Sequence, residues 1–188
     1  MEKQKLLLHI CCAPDSTVPW PKLIEESYET VGFFYGNNIH PHDEYIKRSE
    51  AVQKFADIIS EKVIITEYDT THWLKMTEEY KNEPERGKRC IICFRLQLEA
   101  CAKYAKLNGY THITTTLTIS PHKSPELING IGHELAGKYG LTWIDKIWRK
   151  NNGFKLSVEQ SKKHEIYRQN YCGCLYSKRK DETGDVNG

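Results

Sequence analysis

Six of the seven cysteines in this 188-residue chain occur in three tight pairs. The pairs are Cys11 with Cys12, Cys90 with Cys93, and Cys172 with Cys174, and each belongs to a different part of the chain. An odd number of cysteines fits a disulfide framework poorly, and in a cytosolic chain close cysteine spacing indicates metal or redox chemistry instead. We therefore expect no disulfides, and a metal site that gathers thiols from three segments.

The composition is typical of a folded globular protein. A hydrophobic content of 39% and an aromatic content of 11% are sufficient for a core, and the net charge of +2 neither requires nor excludes a nucleic-acid partner. The apolar run at residues 6–10 is too short for a signal peptide, and no stretch is long enough to cross a bilayer. The sequence therefore predicts a cytoplasmic chain with no membrane partner.

Short apolar runs alternate with amphipathic stretches along the chain. We expect strands at residues 6–10, 30–35, 63–66, 110–116 and 141–144, and helices at residues 20–28, 42–60, 70–80, 90–107, 125–139 and 158–168. This alternation favours an α/β fold, a Rossmann-like three-layer α/β/α domain with a mostly parallel sheet of about five strands. Residues 1–177 would form a single catalytic domain, in which residues 145–177 wrap over the metal site, and residues 178–188 would form a polar C-terminal tail.

The first cysteine pair is expected at the mouth of a site. Parallel α/β sheets bind ligands at the carboxyl ends of their strands, and Cys11, Cys12 and Asp15 directly follow the first predicted strand. Side chains of adjacent residues diverge on extended backbone. The two thiols therefore serve different centres, or the chain bends so that both serve one.

The other two pairs are spaced to bind together. Cys90 and Cys93 are three residues apart at the predicted start of a helix, on one face, where the helix N-terminus favours thiolates. Gly173 lets the backbone turn so that the sulfurs of Cys172 and Cys174 converge. By contrast, Cys101 lies on the apolar stripe of a helix and is expected to be a core residue.

The number of paired thiols limits the choice of metal. A structural zinc ion takes four ligands, and an iron–sulfur cluster is held by about four thiolates. The chain offers six paired thiols and Asp15, so two sulfurs and a carboxylate would remain for a second metal beside a cluster.

A phosphate-binding loop is the alternative interpretation of the first site. ATP pyrophosphatases carry a Ser-Gly-Gly-x-Asp-Ser turn after the first strand, and Asp15-Ser16 is similar to the end of that turn. The turn here contains no glycine, and Pro14 has no N–H group to offer a phosphate. The sequence therefore favours sulfur chemistry over nucleotide binding at this position.

The chain resembles the QueH-type epoxyqueuosine reductase family over nearly its whole length, up to about residue 177. The resemblance is carried by residues 9–14 (His-Ile-Cys-Cys-Ala-Pro), 34–41 with Glu44, Tyr45 and Arg48, 89–96 (Arg-Cys-Ile-Ile-Cys-Phe-Arg-Leu), 115–123 and 167–177. Many members of that family resemble Cys-Cys-Ala-Pro-Cys at the first site, whereas this chain has Asp15. A carboxylate is a harder iron ligand than a thiolate.

The resemblance implies a HUP-class fold, an iron–sulfur centre and the last step of queuosine synthesis in tRNA. In that step an epoxide loses its oxygen as water, which requires two electrons and two protons. We hypothesise a [4Fe-4S] cluster on Cys12, Cys90, Cys93 and Cys172. An adjacent mononuclear iron on Cys11, Cys174 and Asp15 would then polarise the epoxide C–O bond. An external ferredoxin- or flavodoxin-like protein would supply electrons.

Further candidates concern the substrate, tRNA carrying epoxyqueuosine. Asp15, Tyr35 and His40 are the candidate catalytic residues. Tyr35, Asn38 and His40 are candidates for binding an unstacked base. A second group mixes cations with aromatic rings: Lys146, Trp148, Arg149, Lys150, Phe154 and Lys155, with residues 178–180 as a further phosphate contact. Two other classes stay open, a zinc-stabilised nucleic-acid-binding module and an ATP-dependent tRNA-modifying enzyme with a degenerate phosphate loop.

Overall fold

The structure is a computed structural model that describes residues 3–177. The predicted polar tail at residues 178–188, with its candidate phosphate contact at residues 178–180, lies outside the described residues.

Five strands and seven α-helices alternate along the described chain. The strands are β1 (Lys5–Ile10), β2 (Glu29–Phe34), β3 (Val63–Ile65), β4 (His112–Thr115) and β5 (Thr142–Trp143). The helices are α1 (Ala13–Ser16), α2 (Pro19–Glu25), α3 (His42–Ile58), α4 (Thr71–Thr77), α5 (Lys88–Leu107), α6 (Pro125–Tyr139) and α7 (Gly153–Lys163). Short 3₁₀ turns occupy Glu78–Tyr80, Leu117–Ile119 and Leu175–Ser177.

All five strands are parallel, in the order β3-β2-β1-β4-β5. Strand β1 is central, pairing Leu8 with Gly32 of β2 and His9 with Thr115 of β4. Its continuous apolar run is buried on both faces, as expected for a parallel sheet covered by helices. One core lies between the sheet and α2 and α3, and the other between the sheet and α5 and α6. The predicted three-layer α/β fold is thus confirmed.

The predicted position of the last helix was wrong. Residues 158–168 were expected to be helical, but α7 begins at Gly153 and ends at Lys163. Its buried residues include Ser157 and Ser161, which are fully covered. Because hydroxyls of this kind add nothing to a hydrophobic stripe, apolar spacing could not locate the helix. Residues 164–177, the C-terminal arm, follow it without further α-helix.

Two glycines of α6 give a paired prediction about core packing. A Cβ added at Gly132 would overlap the indole ring of Trp143 on β5, whereas a Cβ at Gly130 would have no neighbour within 4 Å. We expect Gly132→Ala to destabilise the fold by about 1–3 kcal/mol through overpacking. Gly130→Ala should be neutral or stabilising by up to about 1 kcal/mol, since alanine is the better helix former. Urea denaturation of both variants checks this, and equal shifts of the two midpoints would contradict it.

Candidate metal centre

Five of the six paired cysteines line one open pocket of about 210 Å³, which we call the cysteine pocket. They are Cys11, Cys90, Cys93, Cys172 and Cys174. Cys12 is buried next to Cys11, and their sulfurs lie within 4.8 Å of each other. The fold therefore brings together three pairs that are far apart along the chain.

The chain bends sharply after β1, and this bend gathers the first ligands. Helix α1 begins at Ala13, immediately after Cys12, with a proline in its first turn. The ligand atoms of Cys11, Cys12 and Asp15 consequently lie within 4.8 Å of one another. The backbone N–H of Cys11 also donates to Thr116 Oγ1 at 3.1 Å, which fixes the turn against the end of β4. Of the two alternatives left open by the sequence, the structure has the bend.

Lys123 brings a positive charge to this group. Its Nζ lies 3.6 Å from Cys11 Sγ and 4.0 Å from Asp15 Oδ2, and its side chain is only 18% exposed. Burial works against its charge, but the negative charges of Cys11 and Asp15 outweigh that cost and raise the pKa of the amine. The Arg149 guanidinium donates to the Lys123 carbonyl at 3.0 Å and holds the loop. Lys123 lies in the motif at residues 115–123, but the sequence pattern did not predict this role.

The second pair is held at the start of α5 by hydrogen bonds to sulfur. The backbone N–H of Arg86 donates to Cys90 Sγ at 3.2 Å. Cys93 Sγ accepts from Trp73 Nε1 at 3.3 Å and from Gln97 Nε2 at 3.1 Å. Burial nevertheless raises the pKa of Cys93 to about 12, so this thiol ionises readily only where a cation or metal compensates. Trp73 and Gln97 were not identified from the sequence.

Arg48 ties the third pair to the domain. Its guanidinium is 1% exposed and donates to the carbonyls of Tyr171 and Cys172, each at 3.0 Å. Its Nε also donates to Glu44 Oε1 at 2.7 Å. One buried ion pair on α3 therefore fixes the backbone of the C-terminal arm at the pocket.

Gly173 is required at the tip of this turn. Its φ of +101° lies in the left-handed region that side chains rarely adopt, and an added Cβ would lie 2.8 Å from Arg48 Nη1. The turn lets the backbone N–H of Cys174 donate to Cys172 Sγ at 3.4 Å. The predicted role of the glycine, to make the two cysteines converge, agrees with this geometry.

Two pairs contain one thiol that ionises easily and one that does not. A hydrogen bond from Cys12 lowers the pKa of Cys11 to about 7, and a hydrogen bond from Cys174 lowers the pKa of Cys172 to about 6. The thiols that donate have the opposite shift, because donation and burial raise the pKa values of Cys12 and Cys174. The two thiolate-prone sulfurs line the pocket, where a cation would meet them.

The candidate catalytic residues Tyr35 and His40 lie outside the described lining of the pocket. His40 is buried, its ring 5.1 Å from that of Trp73, and its backbone N–H donates to the Gly173 carbonyl at 2.8 Å. Burial lowers the pKa of His40 and raises the pKa of Tyr35 to about 12. Asn38, in contrast, does line the pocket. The catalytic roles of Tyr35 and His40 stay predictions.

The predicted basic and aromatic group is partly structural. Trp148 is buried and its indole N–H donates to the Thr115 carbonyl at 2.9 Å, so its ring is not available to stack on a base. Lys146 pairs with Glu26 at 2.7 Å. His9 is fully buried, with Nδ1 2.8 Å from Thr115 Oγ1, so it is a packed, hydrogen-bonded histidine of the central strand.

The donor set fits an iron–sulfur or zinc centre. Soft thiolates dominate it, and one carboxylate lies beside the first pair. Magnesium or calcium would require several oxygen ligands instead. All seven cysteines are free thiols, so every paired sulfur is available.

Comparison with known proteins decides the family. The model of the family described as epoxyqueuosine reductase QueH matches residues 6–180. The chain belongs to the QueH family. A QueH of Acinetobacter baylyi is 42% identical over 176 residues, covering 93% of this chain and 81% of the relative. A QueH of Thermotoga maritima is 37% identical, covering 97% of this chain and 95% of the relative. The resemblance noted in the sequence is confirmed, and so is its implication that the chain is an oxidoreductase.

A solved structure supports the QueH fold assignment. The U34-tRNA thiolase NcsA from Methanococcus maripaludis, solved with its [4Fe-4S] cluster, superposes with a TM-score of 0.59 at 13% identity. The match covers 95% of this chain and 63% of the thiolase. Within residues 3–177, the QueH chain has no helix that combines the length and apolarity needed to span a bilayer.

Proposed function

We propose that this chain reduces epoxyqueuosine in tRNA to queuosine in the cytoplasm. The epoxide accepts two electrons and two protons, both C–O bonds break, an alkene forms, and the oxygen leaves as water. The observation that carries the proposal is the convergence of three cysteine pairs on one open pocket in a chain of the QueH family.

The thiols would hold an iron–sulfur centre. In our assignment Cys12, Cys90, Cys93 and Cys172 hold a [4Fe-4S] cluster, and Cys11, Cys174 and Asp15 hold an adjacent iron. When bound, these metals would supply single electrons and a Lewis acid for the epoxide oxygen. Cys12 Sγ lies within 4.8 Å of ligand atoms of Cys11 and Asp15, so in this assignment it would hold the cluster beside the two ligands of the iron. The [4Fe-4S] cluster of the structurally similar thiolase supports the choice of iron.

The chain's own residues prepare the pocket for an oxygen that gains negative charge. Lys123 places a fixed positive charge next to Cys11 and Asp15, where such an oxygen would be stabilised. Burial raises the pKa of Tyr35 to about 12, so its hydroxyl stays protonated but is a weaker acid than that of an exposed tyrosine. Tyr35 remains our candidate for giving a proton to the leaving oxygen.

The substrate of the chain would be a modified base in tRNA, and its protein partner would be an electron donor. A base inside the anticodon stack cannot reach a recessed metal, so the nucleotide must leave the stack to enter the pocket. A small external ferredoxin- or flavodoxin-like carrier would deliver the electrons one at a time.

A direct test combines metal analysis with turnover. The chain is reconstituted anaerobically with iron and sulfide, its metals are counted, and an EPR spectrum of the reduced protein is recorded. It is then incubated with a chemical reductant and tRNA carrying epoxyqueuosine, and the nucleosides are analysed by mass. Loss of one oxygen atom from epoxyqueuosine is the expected result. A colourless zinc protein that leaves the nucleoside unchanged would favour the binding-module alternative, and turnover that requires ATP would favour the ATP-dependent one.

A further inference from the structure

The cysteine pocket has an apolar side as well as a sulfur side. Ile91, Phe94, Leu117 and Leu127 line it together with the cysteines. Phe94 is only partly buried, and its ring makes no aromatic pair with any ring in residues 3–177. Phe33, Phe34 and Phe55 all pack against other rings. Phe94 packs in part against the core between the sheet and α5 and α6, and it lines the pocket with the rest of its ring, on which a flat ring can stack.

The rim of the same pocket carries a contact between an arginine and a histidine side chain. Arg86, just before α5, and His122, just before α6, line the pocket, and Arg86 Nη2 lies 3.0 Å from His122 Nδ1. Arginine can only donate, so His122 Nδ1 accepts and its Nε2 carries a proton. The rim thus presents the other guanidinium N–H groups and the Nε2–H, all of them hydrogen-bond donors.

The charges around the pocket favour an anion at this rim. Arg86, Arg89 and Lys123 line the pocket against a single carboxylate in the described lining, that of Glu85. Arg89 is buried and its Nη1 donates to the carbonyls of Tyr80, Lys81 and Glu83, and Lys123 faces Cys11 and Asp15. Of these three cations, Arg86 is therefore the one at the rim with guanidinium N–H groups left to bind a ligand.

We propose that the outer half of the cysteine pocket is a subsite for one unstacked nucleotide of the tRNA. Its base lies against Phe94 and Leu127, and a phosphate of its backbone binds Arg86 and His122. The proposal rests on the proposed function, because it takes tRNA as the substrate. Proteins hold single nucleotides by stacking the base on an aromatic face and binding the phosphate at a cationic rim. In this orientation the modified substituent of the base would point at the sulfur side of the pocket.

The two halves of the subsite predict different responses to salt. Binding of an anticodon stem-loop carrying epoxyqueuosine is measured by fluorescence anisotropy over a salt series, with the reconstituted chain. Arg86→Gln removes one phosphate contact, so the slope of log K against log salt should become shallower by about 0.7–0.9. Phe94→Ala removes stacking, so the slope should stay the same while affinity falls by about 5- to 150-fold, from the 1–3 kcal/mol typical of one stacked base.

Matched variants separate recognition from structural damage. Arg95→Gln makes the same chemical change on an exposed arginine of α5 that pairs with Glu134 and does not line the pocket, and its slope should equal that of the wild type. Phe94→Tyr keeps the ring and should keep the affinity. The backbone N–H that donates to Cys90 Sγ is retained in Arg86→Gln. If Phe94→Ala loses iron, Phe94→Leu repeats the test, because leucine keeps the apolar volume without the aromatic face.

Two outcomes would overturn the subsite. One is wild-type affinity in both Phe94→Ala and Phe94→Leu with iron content intact, and the other is an unchanged salt slope in Arg86→Gln. Failure of the proposed function looks different: the wild type itself would leave epoxyqueuosine in tRNA intact. Turnover by the wild type with normal binding by the variants rejects the subsite alone.

Discussion

Replacing Arg48 by methionine is expected to lower the free energy of unfolding by about 3–5 kcal/mol, because it leaves a buried carboxylate without its charged partner. Glu44 is 8% exposed and accepts from Arg48 at 2.7 Å. The same change removes both donors to the carbonyls of Tyr171 and Cys172, so the third cysteine pair loses its anchor. We expect iron binding to fall together with stability. Urea denaturation and iron content per chain after reconstitution measure the two effects.

Arg95→Met is the control for this experiment. Arg95 makes two bonds of 2.7 Å to Glu134, but its side chain is 41% exposed and that of Glu134 is 60% exposed. Exposed pairs contribute about 0–1 kcal/mol, so this variant should stay close to the wild type. Arg48→Lys, which keeps the charge but lacks the planar fork, should fall between the two. Equal losses in Arg48→Met and Arg95→Met would show that the buried pair has no special role in holding the arm.

Removing the Cys93 thiol is expected to abolish iron binding and turnover, while removing the Cys101 thiol leaves both in place. Cys93 lines the pocket and accepts hydrogen bonds from Trp73 and Gln97, whereas Cys101 is buried in the core on the same helix. Loss of a residue that supports a metal ligand typically costs 10–100-fold in affinity, so loss of a ligand itself should cost more than about 100-fold. Iron content and the EPR signal of Cys93→Ala and Cys101→Ala measure this directly.

The comparison of these two alanine variants is informative because they delete the same atom. Cys101→Ala should cost only about 1 kcal/mol of stability, as expected for one small buried side chain. If Cys101→Ala lost as much iron as Cys93→Ala, the loss in both would reflect damage to α5. The assignment of Cys93 as a ligand would then have no support.

The sheet could be predicted because its strands are short apolar runs between clear turn signals. Leu6, Leu7 and Leu8 are fully buried, and their run alone located the central strand. Helix α7 could not be placed in the same way, since Ser157 and Ser161 occupy its covered face. The hydroxyl of Ser157 bonds within its own helix to the Phe154 carbonyl, so it is satisfied in the core without leaving a hydrophobic signature.

The cysteine pairs of the site could also be predicted, but the residues that hold them could not. A pair of cysteines is visible as a spacing, and the topology of a parallel sheet determines where the first pair must lie. Lysine and arginine are mostly solvated, so residue type alone does not predict that Lys123 and Arg48 are buried, although both lie in motifs of the family resemblance. Their roles follow from burial against Asp15 and Glu44, which depends on tertiary contacts between distant segments.

The anchoring of the third cysteine pair by α3 affects how metal would enter and leave the cysteine pocket. Cys11 and Cys12 follow the central strand, and amides of such core strands generally exchange only on near-global unfolding. Cys172 and Cys174 belong to a segment that has no regular ladder of its own and is held by the Arg48 hydrogen bonds. Hydrogen–deuterium exchange should therefore be fast around Gly173 and slow in β1. Metal would enter and leave by brief detachment of the arm, at far lower free energy than global unfolding.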